Sequence, residues 1–113
     1  MAKIYIAGKV KGLPKDQVAK KFEIAAKTIK DAGHDPVNPF EHIDALNNIL
    51  IENGELPLSD DDTQQRNEIL KICLDLLTEC DHIYLLHDWQ DSQGATFEKQ
   101  VADAFNIPVY GTD

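Results

Sequence analysis

No run of this chain approaches the ~18 consecutive apolar residues that a membrane-spanning helix needs. The opening Met1-Ala2-Lys3-Ile4-Tyr5-Ile6-Ala7-Gly8 is too short and too strand-like for a signal peptide. Basic residues are scarce, with 11 Lys and Arg against 20 Asp and Glu and a formal net charge of −9. Such a surface repels phosphates, so no nucleic-acid partner is expected without a local basic patch. There are only two cysteines, Cys73 and Cys80, and both fall in one helical run, seven residues apart. Two turns of helix hold them ~10 Å apart, too far for a disulfide. A reduced, cytoplasmic protein is the expectation. Metal-ligand spacing is missing too: there is no CxxC and no HExxH, and His34, His42, His82 and His87 are scattered. No metal is expected.

What remains is ordinary globular material. Hydrophobic residues make up 42% and charged residues 27% of 113. One domain spanning residues 1–113 with a modest core is the expectation, and a domain this small often gains stability by oligomerising. No internal repeat or low-complexity segment interrupts it. Lysines gather early, at Lys3, Lys9, Lys11, Lys15, Lys20, Lys21, Lys27 and Lys30, whereas acidic residues dominate from Glu52 to Asp62. The early lysines either steer a small anion or coat a solvated helix face.

The pattern along the chain alternates strand and helix. Lys3 to Ala7 reads as a buried strand. A helix capped by Asp16 runs to about Ala32, with Val18, Phe22, Ala25, Ala26 and Ile29 on one apolar face, and Gly33 stops it. His34 to Val37 is a short second strand, and Asn38-Pro39-Phe40 reads as a loop. Ile43, Leu46, Ile49 and Leu50 suit a short helix ended by Asn53-Gly54, and Pro57 to Asp62 reads as an exposed acidic loop. A further helix begins near Asp61 to Gln64 and runs to about Glu79. His82 to Leu86 is the third strand, Thr96 to Phe105 the next helix, and Ile107 to Tyr110 the last strand. This alternation implies parallel pairing with right-handed crossovers. The expected fold is α/β, a small Rossmann-like (flavodoxin-like) three-layer sandwich with a parallel sheet of four to five strands.

In such a sheet the loops after the strands share one edge. Gly8–Gly12, Asn38–His42 and His87–Gly94 are therefore candidates to converge. Gly8 and Gly12 either let a ligand approach the backbone or make an ordinary turn, and Lys9 or Lys11 is placed to meet an anion. The spacing is neither a P-loop nor a GxGxxG fingerprint. Ser92 and the amides around Gly94-Ala95 suit a phosphate, or Ser92 simply caps the helix. Glu98 reads as a residue near the helix start, its anion favoured by the dipole. It is either a helix stabiliser or a nucleophile for an electrophilic sugar carbon. Trp89 either stacks on a base or covers the core edge. Tyr5 is core, or its phenol reaches a sugar. Asp81 reads as structural.

Three segments together carry a resemblance: Lys3-Ile4-Tyr5-Ile6-Ala7-Gly8, then Cys80-Asp81-His82-Ile83-Tyr84-Leu85-Leu86-His87-Asp88-Trp89, then Ser92-Gln93-Gly94-Ala95-Thr96-Phe97-Glu98. They resemble the nucleoside 2-deoxyribosyltransferase-like superfamily over nearly the whole chain, and in particular its small bacterial and phage branch of domains of unknown function. The resemblance implies an oligomer and cleavage of the N-glycosidic bond of 2'-deoxynucleosides or their 5'-monophosphates, without a cofactor. It places the nucleophile on Glu98 and the strand tyrosine on Tyr5. Six residues before the nucleophile the transferases carry an Asp for the sugar 5'-hydroxyl, whereas the related deoxynucleotide N-hydrolases carry a Ser for the 5'-phosphate. Ser92 therefore favours a monophosphate. Lys9 stands where the hydrolases have a second phosphate-binding Ser, within the loop from Gly8 to Gly12. One departure concerns the helical Asp that assists the leaving base. Its position falls on Cys73, and Asp75, two residues on, points about 200° away around the helix.

The implied partner is a small deoxynucleotide or deoxynucleoside, held by Tyr5, Gly8, Lys9, Gly12, Trp89, Ser92 and Gly94, with Trp89 or Phe40 against the base. A neighbouring subunit is expected to close the pocket, since no tail follows Asp113. The rival readings are a non-catalytic nucleotide-binding module of the same fold and a structural or regulatory interaction protein.

Overall fold

The computed structural model describes residues 1–10, 12–58 and 63–112. Among the described residues four strands and four α-helices follow in the order β1 (Lys3–Ala7), α1 (Lys15–Asp31), β2 (Asp35–Val37), α2 (Pro39–Glu52), α3 (Thr63–Thr78), β3 (His82–Leu85), α4 (Gln93–Ala104) and β4 (Val109–Thr112), with two helices between β2 and β3. The strands form a parallel sheet in the order β2-β1-β3-β4. This is the expected α/β architecture, with four strands.

The side-chain period of two sends successive strand residues to opposite faces. Ile4 and Ile6 of β1, with Tyr84 of β3 and Leu86 after it, meet Val18, Phe22, Ala25 and Ile29 of α1. Tyr5 and Ala7, with Ile83 and Leu85, face the other way onto Leu77 near the end of α3, Cys80 just beyond it, and Ala95 and Ala102 of α4. The sheet is thus covered on both faces, as parallel sheets require. Gly33 ends α1 at φ +87, a left-handed conformation that costs an L-residue about 1 kcal/mol.

Several boundaries differ from the sequence reading. Asp16 is not the cap of α1. It lies in the first turn, and Pro14 occupies the cap position without a side-chain bond. Asn38-Pro39-Phe40 is not a loop: the Asn38 side chain accepts a hydrogen bond from the Phe40 N–H at 3.0 Å, and Pro39 opens α2. A 14-residue helix follows where a short one was expected. It leaves Ile49 and Ile51 exposed. α4 begins at Gln93, three residues earlier than expected, after a 3-10 turn at Trp89–Asp91. β4 is displaced to Val109–Thr112. The acidic stretch at residues 59–62, together with Lys11 and Asp113, lies outside the described residues.

Candidate active site

β1 leads through α1 to β2 on one side, while β3 leads through α4 to β4 on the other. The sheet therefore has its topological switch point between β1 and β3. In open α/β sheets the loops that follow the strands at such a point commonly bound a ligand site. Two of the three predicted loops meet at that point. The Lys9 N–H donates to Asp88 Oδ1 at 3.0 Å. Lys21, from α1, donates to Asp88 Oδ2 at 2.6 Å and to the Lys9 carbonyl at 2.7 Å. Burial alone would raise the Asp88 carboxyl. The bonds from Lys21 and the Lys9 amide, with the Lys21 charge, outweigh it and hold the group below its ordinary value.

Gly8 sits at the root of this arrangement. A Cβ there would lie 2.5 Å from Leu86 Cδ1 and 2.8 Å from its Cβ. The close approach that the glycine permits is to Leu86 of the neighbouring segment. Gly12 is left-handed at φ +84 with open space beside it. In the Asn38–His42 segment, Phe40 is half-buried and packs edge-on to Phe22, with ring centroids 4.8 Å apart, against the core on the α1 face of the sheet. Trp89 packs instead against the opposite core, the one that contains Tyr5.

On that face Tyr5 donates a hydrogen bond from its hydroxyl to Glu98 Oε2. Tyr5 is fully buried and Glu98 is 8% exposed. This rules out a solvent-facing Glu98. It also corrects the electrostatic expectation. Glu98 is the sixth residue of α4 rather than a first-turn residue, and the dipole's influence fades within the first turn. Desolvation dominates and pushes its carboxyl up to about 7, with the Tyr5 bond acting in the opposite direction. Burial, reinforced by the Glu98 charge, holds the Tyr5 phenol well above its ordinary value. Cys73, half-buried on α3, lies against the Tyr5 hydroxyl. Burial, then the Glu98 charge, raise its thiol to about 11. Asp75 is exposed.

Ser92 caps α4 by accepting from the Ala95 N–H at 3.1 Å. Gly94 follows in the first turn, with its Cβ position 3.9 Å from Ser92 Oγ. Thr96 returns a bond to the Ser92 carbonyl at 2.6 Å. An open groove of about 300 Å³ runs beside this cap, lined by Gln90, Asp91, Ser92, Gln93, Thr96, Phe97 and Gln100. It touches Ser92 but not Glu98. Asp81 is structural: it accepts from the Lys3 N–H at 2.9 Å and joins the start of β1 to β3. Among the described residues no group of three or more His, Cys, Asp or Glu is placed to hold a metal ion.

Residues 2–110 match the family model described as a domain of unknown function, DUF4406. The chain belongs to the DUF4406 family. No curated protein matches it. Among solved structures, a 2-deoxyribosyltransferase from the psychrotolerant bacterium Bacillus psychrosaccharolyticus is similar to this family member. The match covers 98% of this chain and 72% of that one, with a TM-score of 0.67 and 21% identity. At that identity the likeness is one of fold, and it agrees with the Rossmann-like architecture.

For this DUF4406 chain, sequence reasoning missed Lys21 and Asp88. By sequence Lys21 groups with the lysines of a solvated helix face. Lys15, Lys20, Lys27 and Lys30 do lie exposed, but the Lys21 side chain is only 14% exposed. Its place immediately before the buried Phe22 is the available signal. Asp88 is the first acid after the buried strand, the usual place for ligand or loop chemistry in an α/β sheet.

Proposed function

We propose that the protein cleaves the N-glycosidic bond of 2'-deoxynucleoside 5'-monophosphates or deoxynucleosides, as a hydrolase or a 2-deoxyribosyltransferase, with Glu98 as nucleophile. The observation that carries this reading is the buried Glu98 carboxyl, hydrogen-bonded by Tyr5 on β1, one of the two strands that flank the switch point. A carboxylate with few water partners is a stronger nucleophile than a solvated one, and the Tyr5 hydroxyl fixes its orientation. With its carboxyl raised to about 7, the ionised, nucleophilic form is accessible at neutral pH.

In the proposed reaction a Glu98 oxygen bonds to C1' of the deoxyribose while the C1'–N bond breaks. The electron pair leaves with the base, which takes up a proton. Water, or a second base, then attacks C1' and releases the Glu98 carboxylate; the attacking group's proton passes to solvent. Cys73, at about 11, remains a neutral thiol and a poor acid, so the leaving base draws its proton from water or from a group other than this helix position. Ser92, the Gly94 region and Lys9 are the proposed phosphate contacts, with Gly8 and Gly12 shaping the loop and Trp89 beside the base.

A homo-oligomer in a reducing cytoplasm belongs to the same reading. Exposed Ile49, Ile51 and Leu56 and the free thiols of Cys73 and Cys80 support it. Among the described residues no helix is long and apolar enough to cross a membrane.

A second reading, a non-catalytic nucleotide-binding module, is favoured by one observation: Ser92 is already engaged as a helix cap. Base release from deoxynucleoside 5'-monophosphates, followed by chromatography with Glu98→Ala alongside, separates the two. Release that is lost in the variant supports the enzyme. Nucleotide binding without release, unchanged in Glu98→Gln, supports the module.

A further inference from the structure

The Lys21–Asp88–Lys9 ring closes on itself. Asp88 accepts from the Lys9 amide and from Lys21, and Lys21 also donates to the Lys9 carbonyl. Both polar groups of the Lys9 backbone are thereby held by side chains. The ion pair is mostly withdrawn from water, with side chains 14% and 15% exposed. It stands one 3-10 turn before Ser92, because the Asp91 N–H donates to the Asp88 carbonyl at 3.1 Å and the Ser92 N–H to the Trp89 carbonyl at 3.2 Å. Asp91, in the same turn, is exposed and its charge is screened by solvent. Asp88 is a different case: half-buried where the loops after β1 and β3 meet, its charge would be less screened than that of Asp91 if nothing cancelled it. The whole chain carries −9, so an anionic ligand has no general attraction to this surface.

We propose that Lys21 is a specificity-determining residue: by pairing with Asp88 it neutralises the carboxylate one turn before Ser92 and so admits a ligand bearing a phosphate monoester. The inference rests on the reading of the region around Ser92 as the site of a sugar phosphate, and it adds the residue that permits the charge. Lys21 acts through Asp88 and the Lys9 loop. It is a positioning residue, with no direct part in bond cleavage.

The test is titration of 2-deoxyribose 5-phosphate, with uncharged 2-deoxyribose as control, followed by amide NMR shifts of the intact chain. An uncancelled carboxylate within a turn of a phosphate dianion weakens its binding about tenfold. Lys21→Met is therefore expected to lose about tenfold for the sugar phosphate and to leave the 2-deoxyribose response unchanged. Lys21→Arg keeps the pair and binds like the parent. The double variant Lys21→Met with Asp88→Asn removes both charges and recovers to within about twofold of the parent. That recovery is something a purely structural staple would not show. Equal binding of the sugar phosphate by Lys21→Met and the parent overturns the proposal, as does an equal loss for both ligands or a double variant as weak as the single one. If the parent shows the expected pattern but releases no base from any deoxynucleotide, the glycosidic reading falls and the role of Lys21 stands. If the parent releases base but does not bind the sugar phosphate, the role of Lys21 falls alone. If it does neither, both fall.

Discussion

Replacing Glu98 with Gln should flatten a pH dependence that the parent's stability carries. Glu98 has an ordinary value of 4.5 in an unfolded chain, and burial raises it to about 7 in the fold, against the opposing bond from Tyr5. Below pH 4.5 the carboxyl is protonated in both states, and the fold carries no penalty. Between 4.5 and about 7 the unfolded chain releases the proton while the folded chain keeps it, so stability falls as pH rises. Above about 7 the folded group is ionised too, and the full penalty is present. At about 1.4 kcal/mol per unit, the whole window is worth about 3 kcal/mol. Neighbouring groups do not blur it: the Tyr5 phenol lies well above its ordinary value and the Cys73 thiol near 11, so both stay neutral throughout. The substituted amide retains an acceptor for the Tyr5 hydroxyl and has no charge to bury. Urea unfolding of both proteins at pH 4.5, 6, 7 and 8 should show Glu98→Gln gaining about 3 kcal/mol on the parent from the lowest to the highest pH. Parallel curves across that range would refute the claim that desolvation controls this carboxyl.

Other outcomes follow from the same contacts. Tyr5→Phe removes the donor that lowers Glu98, so the carboxyl should rise further. The acid limb of a pH–rate profile for base release should then move toward alkaline pH by about one unit. Gly8→Ala places a methyl 2.5 Å from Leu86 Cδ1 and should cost about 1–3 kcal/mol in denaturant unfolding. With Leu86→Ala alongside, the two losses should be less than additive. Ser92→Ala removes the cap on the Ala95 amide and should cost about 1 kcal/mol. A loss within the error of the urea midpoint would remove the capping role.

How much is legible in the sequence depends on how local the determining contacts are. β1 and the apolar face of α1 are readable because strand and helix periods are written in adjacent residues. The entry to α2 is misread although its signal is present: Asn followed by Pro is a turn pattern, but it is equally a cap followed by the first helical residue. The choice between them rests on the apolar residues downstream, which Ile43 and Leu46 supply only in part. The start of α4 is read too late because the cap at Ser92 and the helix start are a single decision, and Ser92 also suits a ligand contact.

The site divides in the same way. Glu98, Ser92 and Tyr5 stand out by residue type and by their place after or within strands. What governs Glu98 is a bond to Tyr5, 93 residues away, and no local pattern encodes the burial that the bond accompanies. Lys21 and Asp88 meet across 67 residues. Nothing in α1 distinguishes Lys21 from its exposed neighbours, beyond its place before Phe22, until the helix is docked on the sheet. The dipole argument for an ionised Glu98 fails for a physical reason: position along a helix predicts a modest bias, and burial overrides it.

The central claim is that Glu98 attacks a deoxyribose carbon. The most direct measurement is mass spectrometry of the protein quenched during incubation with each deoxynucleoside 5'-monophosphate. Free base is followed in the same samples, and Glu98→Gln serves as control. The account predicts base release together with a deoxyribose phosphate adduct on the peptide containing Glu98, and neither signal in the variant. Base release that survives in Glu98→Gln, or no release from any substrate with or without an acceptor base, would contradict it.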